Sequence, residues 1–245
     1  MGMENKLTFT RRKALGLAAV SFAAPFITTE ASAATAPVLV ELFTSQGCSS
    51  CPPADRLAGA LAGRPGVMVV SLNVDYWDYL GWRDTLASPA HTKRQMDYAH
   101  VRGDNDVYTP QMVINGSAHV VGSNQGAIEN AIANAQHSLV LDMSATNSDI
   151  KIDMPNGDAG NATLWVMSIA SAVSVKIERG ENSGSSVTYH NVVRKLSNVA
   201  TWNGAASSIT LPRKGILSAD SHSCIAILQK GHVGPLIGIG KYSEI

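Results

Sequence analysis

No hydrophobic run in this sequence is long enough to cross a bilayer, which takes about 20 apolar residues. The longest mildly apolar stretch, residues 14–27, has 14 and lies near the N-terminus. Net charge is also missing, with 19 Lys and Arg against 19 Asp and Glu. A chain without a basic excess lacks the attraction that nucleic acid or an anionic membrane surface exerts on a protein partner. There is no internal repeat and no low-complexity tract, and the scattered histidines show no ligand spacing. Cysteine is scarce. Cys48 and Cys51 can pair, which leaves Cys224 as the odd thiol in the apolar run SCIAIL, where it reads as a buried strand residue.

What is present begins with an export signal. Thr10, Arg11, Arg12 and Lys13 form a basic segment, residues 14–27 an Ala-rich apolar segment, and Ala31, Ser32 and Ala33 a small-residue cleavage site. Residues 1–33 therefore read as a signal peptide, and TRRKAL resembles the twin-arginine export pattern, with Ala14 standing where Phe is usual. Ordinary secretion is the alternative route. Without that segment the chain keeps 15 basic (19 − 4) and 17 acidic (19 − 2) residues, still close to neutral. The expected location is periplasmic or secreted, an oxidising setting in which a cysteine pair is stable as a disulfide.

Two stretches of different periodicity follow. From Pro37 to about Gln136, near-continuous aliphatic runs (PVLVELF and VMVVSLNVD) alternate with helical stretches, as in an α/β unit with inner strands covered on both faces. Helix signals are the Leu57 and Leu61 spacing in residues 55–61, the cap Ser88 followed by Pro89, and Ser123 ahead of a stripe of Ala127, Ile128, Ala131, Ile132 and Ala135. After Ser138 the period becomes two. LVLDMSA, IKIDM, TLWVMSI, VSVKIER, VTYHNVV, SITL, CIAIL and LIGIG read as about eight strands of a β-sandwich. The expected organisation is a signal peptide (1–33), an α/β domain (34–137) and an all-β sandwich-like accessory domain (138–245).

The chemistry-bearing motif is TSQGCSSCPPADR, residues 44–56. A Cys-x-x-Cys alone fits a redox pair, half of a metal site or a disulfide that pins a turn. Here it follows a strand and precedes a helix, where backbone N–H groups and the helix dipole favour the attacking thiolate. Its neighbours supply no cation beside Cys48, and Pro52 and Pro53 steer the preceding Cys51 away from the α region unless the helix begins at Pro52. Asp55, in the first helical turn, adds a negative charge that works against a Cys48 thiolate.

Three segments together carry a resemblance. VLVELFTSQGCSSC resembles the strand and active-site turn of thioredoxin, VVSLNVD its next parallel strand, and YTPQMVINGSAHVVG its Thr-Pro segment and hairpin, with Asn115 and Gly116 as the turn. The resemblance implies a thioredoxin-like α/β domain in which Cys48 attacks, Cys51 resolves, and Thr109 and a cis Pro110 wall the substrate side. It also implies that Glu41, a carboxylate in an apolar strand, relays a proton to Cys51. A structural ion pair with a nearby Arg or Lys is the competing reading. More narrowly, ELFTSQGCSSCPPADR, VDYWDYLGWRD, VYTPQMVING, RGENSG and NVVR resemble motifs of a family of exported bacterial proteins of unknown function.

DYWDYLGWRD leaves the carboxyl end of the second strand, where ligands of open α/β sheets bind. Tyr76, Trp77, Tyr79 and Trp82 there form either a wall for a partner, with Trp77 and Trp82 binding substrate, or a small satellite core. ERGENSG reads as a hairpin loop from which Arg179, Glu181, Asn182, and Arg194 on the next strand, either reach the first domain or stay exposed. His222 and Cys224 could share a strand face, yet a zinc or copper site joining them to the pair would span two domains. The leading expectation is a thiol-disulfide oxidoreductase acting on protein or peptide partners, with no cofactor beyond the Cys48–Cys51 disulfide, no nucleic acid and no membrane span. The alternatives are a binding protein with a permanent disulfide and a copper-handling protein.

Overall fold

Among the described residues the strands lie in two sheets, most strands of the larger one contribute to a shared apolar core, and the order of those strands decides the architecture. The structure, a computed structural model, describes residues 1–2, 36–136, 138–158 and 160–244. Apart from Met1 and Gly2, the expected signal peptide and its cleavage point lie outside the described residues. Residues Ala34–Ile245 cluster as one compact unit.

The first half runs β1 (Val38–Thr44), α1 (Pro52–Ala62), β2 (Val67–Asn73), a 3-10 turn (Asp78–Leu80), α2 (Pro89–Arg102), β3 (Gln111–Ile114), β4 (Ala118–Val121) and α3 (Gln125–Ala133). The aliphatic runs become β1 and β2, paired in parallel with Val40 opposite Val69. Ser88 caps α2 by accepting the Ala90 N–H at 3.2 Å, and α2 ends at Gly103, whose φ of 81° few other residues adopt. The cap of α3 is Asn124, accepting from Ala127 N, rather than Ser123. Asn115 and Gly116 turn the β3–β4 hairpin with φ of 45° and 64°, the pair of positive values that a tight hairpin turn needs.

The second half runs β5 (Leu139–Val140), β6 (Asp142–Ala145), β7 (Asp149–Met154), β8 (Ala162–Lys176), β9 (Ser186–Trp202), β10 (Ser207–Pro212), α4 (Arg213–Ile216), β11 (Ser223–Lys230) and β12 (Leu236–Ser243). TLWVMSI and the VSVK of VSVKIER are one 15-residue strand, β8, bent by register shifts at Leu164/Trp165 and Ser168/Ile169.

The expected thioredoxin-like α/β domain followed by a separate β-sandwich is corrected by the strand order. Nine strands form one mixed sheet, β4-β3-β1-β2-β9-β8-β11-β12-β5, and a second sheet, β10-β7-β6, has only three. The join is β2 beside β9, parallel at Ser71 and Val192. It is reinforced by Ser71 Oγ donating to His190 O at 2.8 Å and Asn191 Nδ2 donating to Val69 O at 2.9 Å. Physically, β2 would otherwise present an unpaired edge, and β9 covers it. One apolar cluster accordingly holds Leu39, Phe43, Val70, Leu72 and Tyr98 together with Trp165, Met167, Ile169, Val193, Ile225 and Ile227. A second packs α1 and α3 on the other face of β1 and β3, and a third fills the space between β7 and the β8/β11 part of the large sheet.

Candidate functional site

The turn from β1 into α1 holds both cysteines. Cys48 N donates to Ser45 O at 3.2 Å, Cys51 N to Cys48 O at 3.2 Å, and the Ala54 and Asp55 amides to Cys51 O at 2.8 and 3.1 Å. Cys51 is the N-cap of α1 with φ −79° and ψ −34°, so it is helical although a proline follows. The helix proper starts at Pro52, where the missing N–H has no partner to lose. Cys48 and Cys51 form a disulfide with Cα atoms 5.4 Å apart. Both are buried, at 3% and 0% exposure, while Ser49 and Ser50 between them face solvent.

Thr109, Pro110, Trp77 and Trp82 lie around this turn. The Thr109-Pro110 bond is cis. A methyl group added at Gly122 would lie 3.0 Å from Pro110 Cβ and 3.2 Å from Ala54 Cβ, so the proline and the first turn of α1 close on the same glycine. Trp77 lies against Gly47, where an added Cβ would sit 3.1 Å from Trp77 Cβ, and Trp77 Nε1 donates to Thr109 Oγ1 at 2.8 Å. Trp82 Nε1 donates to Gln46 Oε1 at 2.7 Å. Both indoles thus tie the 76–84 segment to residues flanking the disulfide. Tyr76 and Trp77 also pack on the main core, whereas Tyr79 is 77% exposed.

Glu41 is not brought to the cysteines. Alternation along β1 sends Leu39, Glu41 and Phe43 toward α2, and Val40, Leu42 and Thr44 toward α1. Fully buried, Glu41 receives Arg94 Nε at 2.6 Å and Arg94 Nη2 at 3.1 Å, together with the Tyr98 hydroxyl. Arg94 Nη2 also donates to Gln229 Oε1 at 2.8 Å, so the ion pair clamps the two halves of the chain together.

The acid beside the pair is Asp55, which the sequence reading took only as a first-turn charge. It is 2% exposed, one helical turn beyond Cys51. Its Oδ1 accepts the Thr44 hydroxyl at 2.7 Å, and its buried Oδ2 has no hydrogen-bond partner among the described residues. Burial pushes its pKa up to about 7, with the Asp84 carboxylate adding to the rise and Thr44 and Arg56 opposing it. It borders a cavity of about 380 Å³ between α1 and β9, with Arg56, Thr188 and His190. A signal was available, because Ala54, Asp55, Ala58 and Leu61 form the buried stripe of α1. Asp84 is a second buried acid at the turn, its pKa raised by burial against hydrogen bonds from Asn73, Gln46 and Leu86. The Gln46 amide donates to it at 2.8 Å.

Of the loop residues, Asn182 reaches the site, donating to Gln46 O at 3.0 Å and Cys48 O at 2.9 Å. Arg179 and Glu181 are exposed, and Arg194 instead pairs with Asp220 at 2.8 Å. Cys224 lies in the core, where burial pushes its thiol up to about 12. His222 lies near Glu244, at 3.6 Å. Among the described residues no group of three or more His, Cys, Asp or Glu is placed to hold a metal, and no helix is long and apolar enough to cross a membrane.

A mixed sheet that carries a Cys-x-x-Cys disulfide where β1 runs into α1, walled by a cis-proline hairpin, defines the class of this molecule. Within it, the chain belongs to the family described as protein of unknown function DUF1223, whose family model matches residues 39–229. It is similar to the crystal structure of an Agrobacterium tumefaciens protein, at 29% identity and a TM-score of 0.76, over 86% of this chain and 96% of that one. It is similar in fold to HBP35 of Porphyromonas gingivalis, at 12% identity and a TM-score of 0.61, over 85% of this chain and 75% of that one. No curated protein sequence matches it.

Proposed function

We propose that this chain is an exported thiol-disulfide oxidoreductase acting on protein or peptide partners through Cys48 and Cys51. The observation that carries the reading is the placement of the disulfide at the N-terminus of α1, with Pro110 against the same first turn. Helix N–H groups and dipole stabilise a thiolate there. In the reducing direction the Cys48 thiolate attacks a partner disulfide, forms a mixed disulfide and releases one partner thiolate, which takes up a proton. The Cys51 thiolate then attacks the Cys48 sulfur, closes the intramolecular disulfide and releases the second partner thiol. Two electrons pass from the pair to the partner, and the reverse sequence oxidises a partner dithiol. The redox group is the disulfide itself. Export to the periplasm or beyond, by the twin-arginine route or by ordinary secretion, rests on residues 1–33.

Trapping tests the reading. A Cys51→Ser variant should accumulate a mixed disulfide on Cys48 with an oxidised peptide, and the wild-type pair should equilibrate with a glutathione redox buffer. Absence of both overturns it. The burial of both cysteines favours a second reading, a binding protein whose disulfide stays oxidised and stiffens the turn. A pair that no glutathione buffer reduces in the folded protein supports that reading instead.

A further inference from the structure

The motif RGENSG lies outside the reaction described so far, yet it supplies the side chain that touches the backbone of Cys48. Residues 177–185 join β8 to β9 and close on themselves, with Ile177 N donating to Ser185 O at 2.9 Å and Gly184 N to Ile177 O at 2.8 Å. Ile177 is fully buried and anchors the loop. At the far side Gly180, with φ of 77°, comes so close to the 80–82 segment that an added Cβ would sit 3.3 Å from Trp82 Cβ. Trp82 is in turn bonded to Gln46. From this platform Asn182 donates to two acceptors of the cysteine turn, Gln46 O and Cys48 O. The same turn is also held by Asp84, which accepts the Gln46 N–H. The backbone leading into Cys48 is therefore held by two side chains, Asn182 and Asp84, and Cys48 is only 3% exposed.

Exchange requires an incoming sulfur to reach a sulfur of the pair. A small thiol can reach a nearly covered sulfur through local breathing, whereas a polypeptide must also bring its own backbone against the turn. We propose that the 177–185 hairpin, pinned by Asn182, is the selectivity element of the site: it admits small thiols and disulfides and holds polypeptide partners back until the Asn182 amide releases the turn. This rests on the reading of the pair as exchange-competent with polypeptide partners and adds to it the release step that such a partner has to wait for. Asn182 is a positioning residue, acting through the carbonyls of Gln46 and Cys48 rather than on the sulfurs.

The test compares two reductants, dithiothreitol and reduced, unfolded ribonuclease, by their second-order rate constants against the wild-type disulfide and against Asn182→Ala. Two lost hydrogen bonds should raise the polypeptide rate on the order of tenfold to a hundredfold, while the small-thiol rate changes less than about twofold because its approach does not need the turn to open. Asn182→Asp, which cannot donate, should behave as Asn182→Ala does. Unchanged rates with both reductants overturn the proposal, as does an equal rise with both, which would mean that Asn182 merely stiffens the whole site. If Asn182→Ala does not fold, replacing residues 179–184 with a two-residue Asn-Gly turn removes Asn182 together with its platform and should give the same selective rise. A wild type and variants inert to both reductants sink the oxidoreductase reading and this proposal together. A wild type that reacts with both at equal rates sinks this proposal alone.

Discussion

Thr44, the last residue of β1, donates its hydroxyl to Asp55 on α1 at 2.7 Å and leaves the other Asp55 oxygen buried without a partner. A carboxylate in that position is more easily kept as the neutral acid, which is why its pKa rises from 3.8 to about 7. The folded state then binds more protons at this site than the unfolded chain between those two values, so stability falls as pH rises through that window and levels off above it. The full difference corresponds to about 4 kcal/mol. Asp55→Asn should remove most of the fall. Urea midpoints measured from pH 4 to pH 8 should converge at the acid end and favour the variant at the alkaline end. Parallel curves for the two proteins would show that Asp55 is already ionised at pH 4.

The same residue is the acid to test in thiol exchange. Being one helical turn from Cys51 and close to half-ionised near neutrality, Asp55 can give or take a proton as the Cys51 thiolate forms and disappears. In Asp55→Asn the pH dependence of mixed-disulfide resolution should lose its inflection near neutrality, with the rate at pH 7 down about tenfold to a hundredfold. An unaltered profile would remove Asp55 from the proton path.

Glu41 should behave in the opposite way. Held by Arg94 and Tyr98 on the α2 face, it is a structural carboxylate whose loss strands a buried guanidinium. Glu41→Gln should cost about 3–5 kcal/mol of stability and leave the pH profile of exchange where it was. Denaturant unfolding and the exchange profile, measured on one preparation, separate the two roles. A shifted profile in a fully folded Glu41→Gln protein would restore it as a relay.

The different settings of Glu41 and Asp55 mark the limit of what local sequence shows. Aliphatic runs located β1 and β2, Ser88 and Pro89 opened α2, and Asn115 with Gly116 turned the hairpin, because each of these depends on neighbours within a few residues. Facing was harder. An acid in an apolar strand can look toward either helix layer, and only the packing of α1 on Val40 and Leu42 shows that Glu41 looks away from the cysteines. Long-range pairing was hidden as well. Alternation identified VTYHNVV as a strand, but nothing local says that it lies beside β2 rather than in a sandwich of its own. Ala170, Ser171 and Ala172 read as a break between two strands, yet β8 runs through them because Ala172 pairs with His190.

Trp77 joins packing to hydrogen bonding at the rim, and two substitutions divide its contribution. Trp77→Phe keeps an aromatic ring beside Tyr76 but removes the donor to Thr109, which should cost about 1 kcal/mol. Trp77→Ala also opens a gap beside Tyr76 and the main core, for a total cost of about 3 kcal/mol. Thermal or urea unfolding reads both. Equal losses from the two variants would assign the whole effect to the hydrogen bond.

The β2–β9 join makes a strong claim about folding, because it gives the two halves a common core. Cut after residue 137, the first half would expose the edge of β2 and the Leu39, Phe43 and Leu72 side that Trp165, Ile169 and Val193 cover. It would also leave the Arg94 guanidinium without Gln229. Uncovered edges of this kind pair with other chains, and an opened core loses about 25 cal/mol for each Å² of apolar surface returned to water. A fragment of residues 34–137 should therefore be aggregated or lack cooperative unfolding, while residues 34–245 unfold in a single transition. Amide exchange adds a residue-level check: in the intact protein, β2 and the central part of β9 should show protection of similar magnitude, because they open together. A soluble 34–137 fragment with a sharp thermal transition of its own would mean that the shared sheet is a docking of two independently stable parts.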